Sequence, residues 1–132
     1  MLDSIKVSIV LPVSAKRLYQ AWLDSKEHSA FTSGKAVIDP KVGGGFSAWD
    51  DYIQGETLEL KPYQRIVQSW RTSEFPEDSS DSKIEVLFEE AKGGAKITII
   101  HTDIPKGQGE EYKEGWLDFY FKPMKEYFKK KK

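Results

Sequence analysis

The two histidines are the side chains best suited to carry chemistry near neutral pH in this sequence. They stand at positions 28 and 101. The run His101-Thr102-Asp103 would place His101 and Asp103 on one face of a strand, because alternate strand residues point the same way. That spacing suits a pair of metal ligands or an acid–base pair. The sequence offers no evident third ligand, and a tetrahedral site takes three or four protein ligands. We therefore expect no metal site, and we expect His101 to be a polar wall group of a cavity or a hydrogen-bonded core residue.

Other catalytic groups lack the spacing that their chemistry needs. Ser, His and Asp are all present, but no Gly-x-Ser-x-Gly elbow occurs. The adjacent carboxylate pairs 50–51, 89–90 and 110–111 would point to opposite faces of a strand, so they do not form a dyad. Cysteine is absent, which excludes thiol catalysis, zinc–thiolate sites and disulfides. We expect no catalytic residue and no cofactor. An enzyme that uses His101 with a cavity carboxylate stays open as the less favoured alternative.

Aromatic residues make up 13% of the chain, which is more than a small sheet–helix interface needs. Two interpretations stay open, because aromatic rings at helical spacing usually form a packed core, whereas some rings could instead line an apolar pocket that carries a few polar groups. Gln68 lies in phase with Ile66 and Trp70, and Glu56 lies in phase with the leucines that follow it, so both are candidate polar groups. The predicted cavity lining comprises Phe31, Phe46, Gln68, Trp70, Phe88, His101, Trp116, Phe119 and Tyr120.

The elements that must position these residues follow from hydrophobic periodicity. Residues 5–11 alternate with period two, which predicts a first strand. Ser14 then suits a helix N-cap, and a second short helix is expected over residues 25–31. Short alternating segments separated by Gly- and Pro-containing turns predict five or six strands between positions 37 and 104.

From about residue 110 the period becomes helical, with aromatic residues at three- and four-residue steps. Pro123 lies inside this pattern and should kink the helix. The predicted fold is α+β: a curved antiparallel sheet of six or seven strands grips a long C-terminal helix, with one or two short helices after the first strand.

Composition and charge predict one domain over residues 1–132. The net charge is −1, and without the last four lysines it is 16 − 21 = −5, which argues against a nucleic-acid partner. No apolar run is long enough to span a membrane. Ser8 and Pro12 interrupt the first apolar stretch, which argues against a signal peptide. Together with the lack of cysteine, this favours a cytoplasmic location. We expect the lysine run 129–132 to be solvated, although it could contact anionic lipid or an acidic partner.

Five short motifs occur in the order found in one family. They are GGGF at 43–46, GETLELKP at 55–62, IVQSWR at 66–71, HTDIP at 101–105 and EGWLDFYF at 114–121. The sequence resembles the C-terminal domain of the activator of the ninety-kilodalton heat-shock protein ATPase, a member of the START-like superfamily of helix-grip domains.

This resemblance covers nearly the whole chain and implies a sheet folded around a long C-terminal helix, with a cavity between them. It implies three possible functions. The first is a non-enzymatic domain that binds an apolar small molecule, and the second is a co-chaperone that binds the ninety-kilodalton heat-shock protein and stimulates its ATPase. The third is a cyclase or hydrolase that uses His101 with a cavity carboxylate, and fold alone does not choose among the three.

Overall fold

A single seven-stranded antiparallel sheet forms the frame of the protein in the computed structural model, which describes the backbone of residues 2–131 and the side chains of residues 2–129. The strand order is β1-β7-β6-β5-β4-β3-β2, so the first and last strands are neighbours. The seven strands are β1 (Asp3–Leu11), β2 (Val37–Ile38), β3 (Gly45–Ala48), β4 (Ile53–Lys61), β5 (Arg65–Thr72), β6 (Ser82–Ala91) and β7 (Gly94–Ile104). The predicted fold class is confirmed.

Two short helices follow β1, as the capping residues indicate. Helix α1 (Ala15–Leu23) begins after Ser14, whose hydroxyl accepts a hydrogen bond from the backbone N–H of Arg17. Helix α2 (Ser25–Thr32) begins after Asp24, whose carboxylate accepts two backbone N–H bonds in the first turn. These caps satisfy donors that a helix start otherwise leaves unpaired.

The C-terminal helix changes its winding in the middle. It consists of α3 (Gly109–Gly115), a π-helical segment (Trp116–Phe121) and α4 (Lys122–Lys131). The N–H of Lys122 bonds to the carbonyl of Leu117, five residues back. Pro123 directly follows, and it has no N–H and would clash with the carbonyl four residues before it. The wider turn upstream of Pro123 is therefore the local response to this residue, which the sequence predicted as a kink.

The concave face of the sheet and the inner faces of the helices enclose the core. Alternate residues of β1, β5, β6 and β7 are buried, and the helix contributes Trp116, Tyr120, Met124 and Phe128. No helix among residues 2–131 is both long enough and apolar enough to cross a membrane. The lysine run reaches residues 130–132, whose side chains lie outside the described residues, so its solvation stays a prediction.

Two β-bulges change the phase of strands that the sequence showed as regular. In β4, Thr57 pairs with Gln68 while Glu59 pairs with Val67, so Leu58 is the extra residue and is 44% exposed. Glu56 precedes the bulge and is exposed, whereas Leu60 follows it and packs against the core. The expected phase therefore holds between Glu56 and Leu58, which are both exposed, and fails between Glu56 and Leu60.

The second bulge lies near the end of β7. Ile5 of β1 pairs with His101, whereas Asp3 pairs with Ile104, so β7 carries one more residue than β1 over this interval. Asp103 lies in this bulge and adopts a left-handed backbone conformation, with a φ of 60°. His101 is fully buried and Asp103 is exposed, so the two side chains do not share a face.

Candidate functional site: an aromatic pocket between helix and sheet

A pocket of about 410 Å³ opens between the C-terminal helix and the end of the sheet formed by β4 and β5. Its volume lies within the range of small-molecule sites, roughly 300–1,000 Å³. Most of its lining is aromatic. The lining residues are Trp49, Tyr52, Ile53, Trp70, Glu74, Glu111, Tyr112, Gly115, Trp116, Phe119 and Tyr120.

One wall comes from the turn between β3 and β4. Trp49, Asp50 and Asp51 all have positive φ, at 53°, 56° and 72°. A bulky residue with positive φ is uncommon, and residues with this strained backbone conformation are concentrated at binding sites. Gly34 allows the resulting position of the indole, because a Cβ there would lie 2.6 Å from Trp49 Cε3. The indole meets the ring of Phe119 edge-on at 6.0 Å, which joins the turn to the helix.

The inner wall is a group of rings in mutual contact. The centroids of Trp70 and Trp116 are 5.6 Å apart, and those of Trp116 and Tyr120 are 4.7 Å apart. Tyr112 meets Trp70 edge-on at 5.0 Å. These residues are buried, and their contacts fix the rings in position, so this wall is preformed.

Gly115 leaves part of the pocket open on the helix side. Its φ of −61° and ψ of −43° are ordinary helical values that any residue adopts. A Cβ built at Gly115 would meet no atom within 4 Å other than those of its chain neighbours and of the backbone of its own helix. Glycine inside a helix costs about 0.5–1 kcal/mol relative to alanine. Neither the backbone nor a close neighbour requires glycine at this position, and the missing side chain faces the cavity.

The rim of the pocket carries its polar groups. The Tyr52 hydroxyl donates a hydrogen bond to the Glu74 carboxylate. Tyr112 donates to Gln108 Oε1 at 2.7 Å, and its oxygen lies 2.7 Å from Thr72 Oγ1. Burial raises the pKa of Tyr112. The hydroxyls at this rim are therefore protonated hydrogen-bonding groups at neutral pH.

His101 lies behind the pocket wall in a closed chain of hydrogen bonds. Trp116 Nε1 donates to His101 Nδ1 at 3.2 Å, so Nδ1 is the acceptor. His101 Nε2 then donates to Ser82 Oγ at 2.8 Å, and Ser82 donates to the Trp70 carbonyl at 2.7 Å. Burial lowers the pKa of His101 to about 3. The ring is neutral, both nitrogens are engaged, and no lone pair is left for a metal or a substrate.

His28 is held in a similar way on α2. Its Nδ1 donates to the Trp22 carbonyl at 2.9 Å, so its Nε2 accepts from the Tyr120 hydroxyl at 2.9 Å. Burial lowers the pKa of His28 to about 4 and raises that of Tyr120. This pair ties the helix to α2 and fixes the Tyr120 ring at the pocket wall.

Four of the predicted cavity residues line the pocket: Trp70, Trp116, Phe119 and Tyr120. The other five predicted residues lie elsewhere. Gln68 is buried, accepts from Trp22 Nε1 at 3.2 Å and donates to Thr57 Oγ1 at 3.2 Å. His101 lies behind the wall, as described above.

The three remaining predicted phenylalanines also lie away from the pocket. Phe31 packs against Trp22 and His28. Phe88 packs edge-on against Tyr19 at 5.7 Å. Phe46 is half-buried on β3.

The lining residues that sequence reasoning missed come mainly from turns and from the helix. Trp49, Tyr52 and Glu74 depend on turn conformations that carry no periodic signal. Glu111 and Gly115 precede the predicted Phe119 at four-residue steps on one helix face, and this spacing was the signal available. The glycine inside an amphipathic helix was a second signal for open space.

The described side chains contain no group of three potential metal-ligating residues. With both histidines neutral and fully hydrogen-bonded, the pocket presents ring faces, tyrosine hydroxyls and two carboxylates. This arrangement suits binding of an apolar molecule by shape and by a few rim contacts.

Comparison with known proteins places the sequence in a family context. The sequence profile described as "Activator of Hsp90 ATPase homolog 1-like protein" matches residues 12–129. The human protein named activator of 90 kDa heat shock protein ATPase homolog 1 is 29% identical over 115 residues, covering 87% of this chain and 34% of that protein. A homologue with that activator name from Dictyostelium discoideum is 27% identical, covering 86% of this chain and 30% of that protein. The chain thus spans about a third of the length of these curated relatives.

Solved structures share the architecture. A protein described as an HSP90 activator from Plasmodium falciparum superposes with a TM-score of 0.81 at 26% identity, covering 90% of this chain and 91% of that one. A protein from Chromobacterium violaceum gives a TM-score of 0.75 at 23% identity, covering 96% and 97% of the two chains. The second likeness shows the fold alone.

Proposed function

The chain belongs to the family of activator of Hsp90 ATPase homolog 1-like proteins, and we propose that it is a non-enzymatic domain of that family that binds an apolar small molecule in the aromatic pocket. The observation that carries this proposal is the mainly aromatic pocket with open space beside Gly115, a residue of its lining. A helix that only had to cover the sheet would gain stability from alanine or a larger residue there.

The form of the pocket supports the same proposal. Its inner wall is made of buried, mutually packed rings, so a ligand would pay little to organise the site. Its polar groups lie at the rim, where they can orient a bound molecule. Both histidines are engaged in the core, which disfavours the alternative of a cyclase or hydrolase that uses His101.

The test is calorimetric titration of the protein with flavone, a sterol and a fatty acid. We expect at least one of these compounds to bind and Gly115→Leu to weaken that binding about tenfold or more, because the new side chain fills the space. Glu114→Leu adds the same side chain at an exposed position that does not line the pocket, so it should bind like the unchanged protein. No binding by any compound, or equal binding by Gly115→Leu, would contradict the proposal.

A second candidate is binding to a ninety-kilodalton heat-shock chaperone. It is supported by the names of relatives, which describe activators of that ATPase. Leu117 and Phe119 are 40% and 60% exposed on the helix, so an apolar surface is available to a partner. A pulldown with the chaperone and an ATPase assay test this candidate, and unchanged turnover at excess protein would remove it.

A further inference from the structure

The charged residues of the pocket lining all have the same sign. Glu74 and Glu111 are the two charged members, and the lining contains no lysine, arginine or histidine among the side chains of residues 2–129. Among the described side chains, neither carboxylate takes part in a salt bridge. Arg71 lies on β5 near this end of the sheet, but it pairs with Asp81 at 2.6 Å and also donates to the Pro76 carbonyl. The negative charge at the rim is therefore not neutralised by a neighbouring cation.

The field of these carboxylates reaches into the pocket. Burial raises the pKa of Tyr112, and the charges of Glu111 and Glu74 raise it further. Burial raises the pKa of Tyr52, and its hydrogen bond to Glu74 adds to this effect. Two hydroxyls on the lining thus experience a negative potential, which would attract a cation and repel an anion.

The walls favour the same charge. Trp49, Trp70 and Trp116 all line the cavity, and the face of an indole ring is the best side-chain partner for a cation. Tyr112, Phe119 and Tyr120 add further rings. Aromatic walls with acidic residues at the mouth form the chemical environment that recognises organic ammonium groups.

We propose that the pocket selects a small organic cation, an ammonium group attached to an apolar body, and discriminates against the corresponding anion. The inference rests on the proposed function and names the ligand class of that site. The apolar body lies against the inner rings, and the ammonium group lies near the rim between the indole of Trp49 and the carboxylates of Glu74 and Glu111. The pocket volume of about 410 Å³ is on the scale of a whole small molecule, so the ligand is a free compound.

The test uses three probes that share a naphthylmethyl body in calorimetric titrations, and the cation and the uncharged probe also have the same shape. They are (2-naphthylmethyl)trimethylammonium, its uncharged carbon counterpart 2-neopentylnaphthalene, and 2-naphthylacetate. We expect the cation to bind at least about tenfold more tightly than the anion, since cation–π contact and two carboxylates act together. Raising the salt concentration should weaken binding of the cation and leave binding of the uncharged probe unchanged, because salt screens exposed charges.

Charge-neutralising variants locate the effect. Glu74→Gln and Glu111→Gln should each weaken cation binding roughly two- to fivefold and leave 2-neopentylnaphthalene binding unchanged. Glu110→Gln is the matched control, because it makes the same charge change on the same helix at a residue that does not line the pocket. It should have a smaller effect on cation binding than either of the two variants at lining residues.

The outcomes separate this inference from the proposed function. If 2-neopentylnaphthalene binds and Gly115→Leu abolishes its binding, but the anion matches the cation or the glutamine variants behave like Glu110→Gln, the charge preference is refuted and the pocket proposal stands. If none of the three probes binds, the charge preference is refuted, and the pocket proposal then depends on the titrations with flavone, a sterol and a fatty acid. If Gly115→Leu leaves all binding intact, both proposals are overturned.

Discussion

Replacing Gly115 with alanine should stabilise the protein, although almost every other change in a folded interior destabilises it. The backbone at Gly115 is helical, and a new Cβ would meet no atom within 4 Å. The substitution therefore causes no clash and removes the entropic cost of glycine inside a helix. That cost is about 0.5–1 kcal/mol, so the free energy of unfolding should rise by this amount. For a domain of this size the midpoint of thermal unfolding should rise by roughly 2–5 °C.

Gly109→Ala is the matched control on the same helix. A Cβ at Gly109 would lie 2.9 Å from the Cβ of Asp3, and the Gly109 N–H bonds to the Asp3 carboxylate at 2.9 Å. This variant removes the same entropic cost of glycine, but the close contact with Asp3 offsets that gain in stability, so it should not be stabilised. Urea unfolding followed by circular dichroism, with calorimetry for the midpoint, measures both variants. If Gly115→Ala loses stability by more than about 0.5 kcal/mol, packed atoms fill the space beside the helix and the pocket is refuted.

Further predictions concern the buried histidines. His101→Ala should lower the free energy of unfolding by roughly 2–4 kcal/mol in urea titrations, because it leaves a cavity and removes the acceptor of Trp116 Nε1. A loss below about 0.5 kcal/mol would show that the hydrogen-bond chain is not formed. The pKa values of about 4 for His28 and about 3 for His101 lie below the usual value of 6.5, so the unfolded chain binds more protons at acid pH. Stability should therefore fall by about 2 kcal/mol per histidine from about pH 7.5 to about pH 5, and a flat profile in urea titrations would contradict burial of the neutral rings. Nitrogen-15 NMR at neutral pH should show the Nδ1–H tautomer for His28 and the Nε2–H tautomer for His101, and the opposite assignment of either ring would break the hydrogen-bond order described.

Much of the fold was predictable from local sequence patterns, because the corresponding elements form where those patterns occur. Alternation along residues 5–11 and the cap at Ser14 are local signals, and both elements form where they indicate. The bulges at Leu58 and Asp103 were not predictable, because a bulge is set by pairing with a partner strand. Each bulge shifts the side-chain phase by one residue, which is why Asp103 does not share a face with His101 and Glu56 does not share one with Leu60.

The candidate site was predictable where a lining residue lies in a regular element, as Trp70 does on β5. Trp116, Phe119 and Tyr120 share the helix with a clear period, so sequence placed them near the sheet. Trp49 and Glu74 reach the pocket through turn geometry and through distant neighbours such as Gly34, which local sequence does not report. His101 was expected either in a cavity wall or in a hydrogen-bonded core, and its contacts with Ser82 and Trp116 correspond to the second description.

The most direct test of the central proposal is to follow the four indole N–H resonances by NMR during titration with 2-neopentylnaphthalene. Three indoles line the pocket, whereas Trp22 lies behind it and donates to Gln68. A ligand between helix and sheet should shift Trp49, Trp70 and Trp116 more than Trp22, and Gly115→Leu should remove those shifts. Unchanged resonances at saturating probe, or shifts that persist in Gly115→Leu, would contradict the proposal that this pocket binds an apolar molecule.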